Sequence, residues 1–253
     1  MPRTIRASRA NFCYHVLNRG NARNEVFHKD RDYDAFIEGI DAACRKRLLR
    51  VLAYCLLPSH FHLVLWPIAD GDLSSWMATL MNAHVRRYQR HYHSTGPIWQ
   101  GRFKAFPIQE DDHLRTVLRY VERNPLRAAL VERAEDWPWS SLRRYEADAP
   151  AWLDPGPAPR GPGWIDEVNR IADGDEEHRR LRRSVERGTP FGSEEWAQRS
   201  AATLELQSTL RGRGRPRKDD PKSPPPDDTR DPDRRPGDED GPSEDRAGPI
   251  AAR

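Results

Sequence analysis

At 253 residues, with 36% hydrophobic and 32% charged residues and a net charge of +3, the chain is long enough for one large domain or a domain with appendages. No stretch is long and apolar enough to span a bilayer, and the opening MPRTIRASRANF holds no signal-type apolar run. Three cysteines in apolar surroundings, Cys13, Cys44 and Cys55, are an odd number and read as reduced core residues, so the expectation is a soluble, cytoplasmic protein.

Asn11–Asn18 is β-prone and ends near Gly20, which predicts a first strand. Asp30 is a candidate N-cap for a helix reaching about Arg47, with Tyr33, Phe36, Ile37, Ile40 and Cys44 on one face. Leu49–Leu57 reads as a buried strand and His60–Trp66 as its alternating partner, the two joined as a hairpin at Pro58-Ser59. Asp72 opens a long helix to about His91, and Pro97–Ile108 contains a fourth strand. A helix follows from near Asp111 to Arg123, and Asn124-Pro125 has the form of an N-cap and first residue of another. This order predicts an α+β, ferredoxin-like split βαβ fold, with helices on one face of an antiparallel sheet and the other face open to a substrate. The expected boundaries are a domain over 1–150, a small helical C-terminal extension over 151–210, and a disordered Arg/Pro/Asp-rich tail over 211–253.

Charge follows the same division. Residues 1–150 carry 23 Lys+Arg against 17 Asp+Glu, residues 151–210 carry 8 against 11, and the remainder 11 against 11. The basic excess therefore sits with the regular structure, which favours an anionic partner.

His60 and His62 alternate on a predicted strand, so both imidazoles point to one face and can reach one metal ion, while Phe61 points into the core. Two polar residues on a solvated strand face would give the same pattern. Tyr120 and Asn124 are four apart on a predicted helix and share a face. A phenolate is a competent nucleophile toward phosphorus, given a nearby cation, and a carboxamide oxygen is a hard ligand for a divalent metal. Asn124 is equally explained as a cap, and Tyr120 as a core tyrosine like Tyr14, Tyr33 and Tyr54. Tyr88 and Tyr92 are rival nucleophiles without a ligand-type residue four positions on. His84, His91, His93 and His113 are expected at the surface.

The segment Leu57-Pro58-Ser59-His60-Phe61-His62 resembles the histidine–hydrophobic–histidine signature of HUH nucleases, and Tyr120-Val121-Glu122-Arg123-Asn124-Pro125 the catalytic segment of the REP-associated tyrosine transposases. Asn18-Arg19-Gly20, Trp99–Lys104, Trp137–Ser141 and Arg187–Ser193 with Trp196 fall in that family's order, covering roughly residues 11–215. Ser59 stands where many members carry Asn, which removes no ligand. The resemblance implies that His60, His62 and Asn124 hold Mg²⁺ or Mn²⁺. It further implies that Tyr120 attacks single-stranded DNA beside a REP hairpin, giving a 5′-phosphotyrosine intermediate and a free 3′-hydroxyl. Its implied partner is single-stranded or hairpin DNA, met at the nucleoid by a monomer or homodimer, with no membrane involved.

Candidate DNA contacts are Arg19, Arg86, Arg87, Arg90, Arg102 and Lys104, interleaved with Trp99 and Phe103 around the fourth strand. Phe103 is the better core residue. In the tail, Arg213 and Arg215 belong to an AT-hook-like Arg-Gly-Arg-Pro run suited to a minor groove, or to an accidental match in a charged tail. Two alternatives stand beside the transposase: a domesticated hairpin-binding protein without strand transfer, and a zinc hydrolase built on the two histidines.

Overall fold

A computed structural model describes residues 8–146, 149–158, 160–170 and 176–211. These belong to one compact unit, Met1–Pro216. Arg213, Arg215 and the expected tail beyond Arg211 lie outside the described residues.

The elements run β1 (Cys13–Arg19), α1 (Asp30–Lys46), β2 (Leu49–Leu57), β3 (His60–Pro67), α2 (Asp72–Tyr92), β4 (Lys104–Ile108) and α3 (Asp112–Arg127). Shorter helices follow: α4 (Ser141–Glu146), α5 (Trp164–Asn169), α6 (Glu176–Arg187), α7 (Glu194–Thr203) and α8 (Gln207–Leu210). The sheet order is β2-β3-β1-β4 with every pairing antiparallel, the topology of the expected ferredoxin-like fold.

The expectation of an open sheet face is overturned. One face packs α1 and α2 through Tyr33, Phe36, Ile40, Trp76 and Leu80 against Tyr14, Val16 and Phe61. The other carries a second core in which Val117, Leu118, Tyr120 and Val121 of α3 meet Cys55, Val64 and Phe106. The reason lies in β2: LRVLAYCLL is apolar almost without alternation, and such a strand must be covered on both faces. A bulge between Val51 and Ala53 lets Leu52 and Ala53 both join the second core.

The C-terminal segments complete that second layer. Trp164, Val168, Leu181, Val185 and Phe191 enter the α3 core. Backbone bonds from Phe191 N to Pro107 O (2.9 Å) and from Gln109 N to Phe191 O (2.9 Å) extend the sheet beyond β4. The Trp137–Ser141 motif runs beside β2: Leu56 N donates to Trp139 O (3.0 Å), and Trp137 Nε1 donates to Leu56 O (2.8 Å).

Two further expectations change. No new helix starts at Asn124-Pro125; α3 runs through to Arg127 with Pro125 inside. Pro125 stands two residues before the helix end and lacks the N–H that would close on Val121 O, so only the last residues of α3 follow the missing bond. His84 is buried, packed among Phe27, Phe36 and Trp99, because it continues the Leu73, Trp76, Leu80 stripe of α2.

Candidate active site

The strand pairing and the position of α3 assemble the site. His60 and His62 lie on the α3 face of β3, their rings 5.1 Å apart between centroids, while Phe61 enters the opposite core. Tyr120 of α3 meets His62 edge-on at 5.8 Å and His15 of β1 at 6.0 Å. All four rings are buried.

Each imidazole is held at its Nδ1. Ser59 Oγ contacts His60 Nδ1 at 3.0 Å, and His15 Nε2 contacts His62 Nδ1 at 2.9 Å with the two rings stacked. In both rings Nε2 is thus the nitrogen on the far side of these contacts. Such partners fix ring orientation, the role they play around metal-ligating histidines. The hairpin tip is itself pinned, since Gly20 N donates to Ser59 O (2.7 Å) and Val26 N to Pro58 O (2.8 Å). Gly20 is required by the tight turn that follows β1, because a Cβ there would sit 2.1 Å from Asn24 O.

Asn124, one turn past Tyr120, is fully buried. Its Nδ2 donates to Tyr120 O at 3.0 Å, and its Oδ1 has no hydrogen-bond partner among the described residues. A buried carboxamide oxygen is rarely left so. A hard oxygen donor one turn along α3 from the tyrosine that meets His62 is of the type that, with imidazole nitrogens, suits a divalent cation such as Mg²⁺ or Mn²⁺. No group of three or more His, Cys, Asp or Glu side chains among the described residues is arranged to hold a metal.

The candidate DNA contacts divide between the two sheet faces. Arg19 pairs with His60, and Lys104 with Leu17, in register on the α3 face. Arg86 and Arg90 are exposed on α2, which packs on the other face. Arg87, also on α2, is committed to the buried Asp32 carboxylate at 2.8 Å and to Arg31 O. Arg102 is exposed in the loop before β4, whereas Trp99 and Phe103 are core residues of the α1–α2 side. The rival tyrosines also lie on that side, Tyr88 against His28 at 2.9 Å and Tyr92 against Asp32 at 2.5 Å.

Two residues of the site escape a reading of the sequence. His15 becomes visible only through strand pairing. Arg127 places its guanidinium carbon 5.0 Å from the Tyr120 ring centroid. It is seven residues on from Tyr120, the same helix face, a signal hidden by the expected break at Asn124.

A family model described as transposase IS200-like matches residues 8–124. A Haemophilus influenzae protein assigned as a REP-associated tyrosine transposase is 30% identical over 125 residues, 45% of this chain and 70% of its own length. The REP-associated tyrosine transposase of Escherichia coli K12 is 25% identical over 134 residues, 52% of this chain and 76% of its own. A solved structure of a REP-associated tyrosine transposase bound to a REP hairpin aligns with TM-score 0.49 and 22% identity, covering 70% of this chain and 98% of that one.

Proposed function

This chain belongs to the REP-associated tyrosine transposases, and from that premise we propose that it cleaves and rejoins single-stranded DNA at REP-type hairpins with Tyr120 as nucleophile. The observation that carries the reading is the edge-on meeting of Tyr120 with His62 at 5.8 Å, with Asn124 one turn further along the same helix.

In this mechanism Tyr120 Oη attacks the scissile phosphorus in line and loses its proton. A P–O(tyrosine) bond forms as the P–O3′ bond breaks, so the strand downstream of the cut stays on the enzyme through its 5′-phosphate, and the upstream strand leaves with its 3′ oxygen protonated in exchange for the proton the phenol gave up. One phosphodiester replaces another, so no nucleoside triphosphate is consumed and the 3′-hydroxyl can reverse the step. His60, His62 and Asn124 would hold Mg²⁺ or Mn²⁺, and two nitrogen donors bias the set toward Mn²⁺. When bound, the ion supplies the positive charge that polarises the phosphate. Ser59 and His15 keep the two imidazoles oriented, and Arg127 stabilises the tyrosine anion as it forms. Arg19 and Lys104 are the candidates for flanking phosphates on this face.

One observation favours a second reading, a hairpin-binding protein that no longer transfers strands: Tyr120 is 4% exposed, so side chains must move before a phosphate reaches it. A 5′-labelled single-stranded hairpin incubated with Mn²⁺ or Mg²⁺ separates the two. The transposase reading expects a shortened labelled strand that a polymerase extends from its 3′-hydroxyl. Tight binding with the strand left intact supports the second reading.

A further inference from the structure

Away from the Tyr120 site, the described residues enclose a cleft of about 490 Å³ between α6 and the start of α7. Small-ligand sites occupy ~300–1,000 Å³. The positive wall of the cleft follows from the helical repeat of α6. Arg180, Arg183 and Arg187 recur at i, i+3 and i+7 and line the cleft, while Leu181 and Val185 are buried in the α3 core. Arg180 is anchored by donating to Gly192 O at 2.5 Å, and Arg183 and Arg187 are exposed.

Thr189 and Thr209 also line the cleft, with their hydroxyl protons committed to Thr209 O at 3.1 Å and Leu206 O at 2.7 Å, so the arginines supply its donors. The first turn of α7, capped by Ser193 Oγ accepting from Trp196 N at 3.3 Å, adds the positive end of a helix dipole. Glu194 is the carboxylate of the lining, so three guanidiniums against one acid leave a formal charge of +2. Guanidiniums present forked donors that match phosphate oxygens. The cleft is also tied to the catalytic sheet. Phe191, in its wall, pairs with Ile108 at the end of β4, three residues before the Asp111 cap of α3.

We propose that this cleft binds a phosphodiester segment of the DNA substrate outside the reactive phosphate, giving the enzyme a second anchor beside its active site. The assignment rests on the DNA-processing reading above and adds a site to it.

The test is fluorescence anisotropy of a labelled single-stranded hairpin with flanking nucleotides, in EDTA so that no cleavage occurs, across a series of NaCl concentrations. Arg183→Gln/Arg187→Gln is expected to bind about 10-fold more weakly and to flatten the log K against log[salt] slope by about 1.4, ~0.7 for each single-strand phosphate left without its arginine. Arg183→Lys/Arg187→Lys keeps the charges and is expected to keep most of the slope. Native affinity and slope in the Gln variant, or weaker binding with an unchanged slope, overturns the proposal. If the native protein binds no DNA, the DNA-processing reading fails and the cleft assignment with it. If the native protein forms a Tyr120–DNA adduct while the Gln variant binds normally, the cleft assignment alone fails.

Discussion

An unperturbed phenol titrates near pH 10, so the proposed attack by Tyr120 at neutral pH requires that its anion be stabilised as it forms. The Arg127 guanidinium, 5.0 Å from the ring, is placed to do this. Arg127→Leu is expected to slow single-turnover cleavage by about 10-fold, the worth of one cation at a partly desolvated ring. An unchanged rate would remove Arg127 from the mechanism. His15 contacts His62, a proposed metal ligand, at 2.9 Å. His15→Leu is expected to weaken Mn²⁺ binding by about 10–100-fold, read by titration calorimetry without DNA. Equal affinity in the two proteins would mean that His15 does not orient a ligand. The four-residue spacing of Tyr120 and Asn124 and the two-residue spacing of His60 and His62 were legible because each depends on one element's own repeat. His15 was not, because its contact with His62 needs the register of β1 against β3, fixed by residues 47 positions apart.

At the scale of the element, α3 matters most because it carries both Tyr120 and Asn124. It is latched to the C-terminal segments by Glu122, which is fully buried and accepts from Ser141 Oγ and Trp164 Nε1, each at 2.7 Å. Arg160 lies 3.2 Å from the same carboxylate and donates to Leu52 O at 2.8 Å, tying α3 to β2. Arg160→Ala is expected to cost about 3 kcal/mol in urea unfolding, because it leaves a buried carboxylate without its cation. A loss under 1 kcal/mol would show that Ser141 and Trp164 suffice. In α2, burial among aromatic rings lowers the pKa of His84 to about 4, with Arg87 adding to the effect. The unfolded chain binds this proton near pH 6.5 and the folded chain does not. Stability is therefore full above that pH and declines as pH falls from about 6.5 to 4, by about 2 kcal/mol at pH 5. His84→Gln should flatten this part of the pH profile. An unchanged profile would assign the decline to other groups. The helix pattern alone held this clue: the stripe Leu73, Trp76, Leu80 points to His84, but a histidine on a basic helix is easily read as surface.

For the whole molecule, element order was enough to give the sheet topology, since a βαββαβ succession with a tight β2–β3 hairpin leaves few alternatives. What the order did not convey was that both sheet faces are filled. The composition of β2 carried that information, as an apolar run without alternation, and the C-terminal segments supply the covering residues Trp164, Leu181 and Phe191. The candidate active site is consequently an interior seam between sheet and α3, with charged residues at its margins rather than across an open surface. If the proposed mechanism holds, the buried ring in this seam becomes covalently joined to DNA. Incubating the protein with a single-stranded REP-type hairpin and Mn²⁺, digesting with trypsin, and sequencing the nucleotide-bearing peptide by mass spectrometry reads this out. The expected result is a metal-dependent adduct on Tyr120 that is absent from Tyr120→Phe. An adduct on another residue, or cleaved DNA with no adduct at any stage, would contradict it.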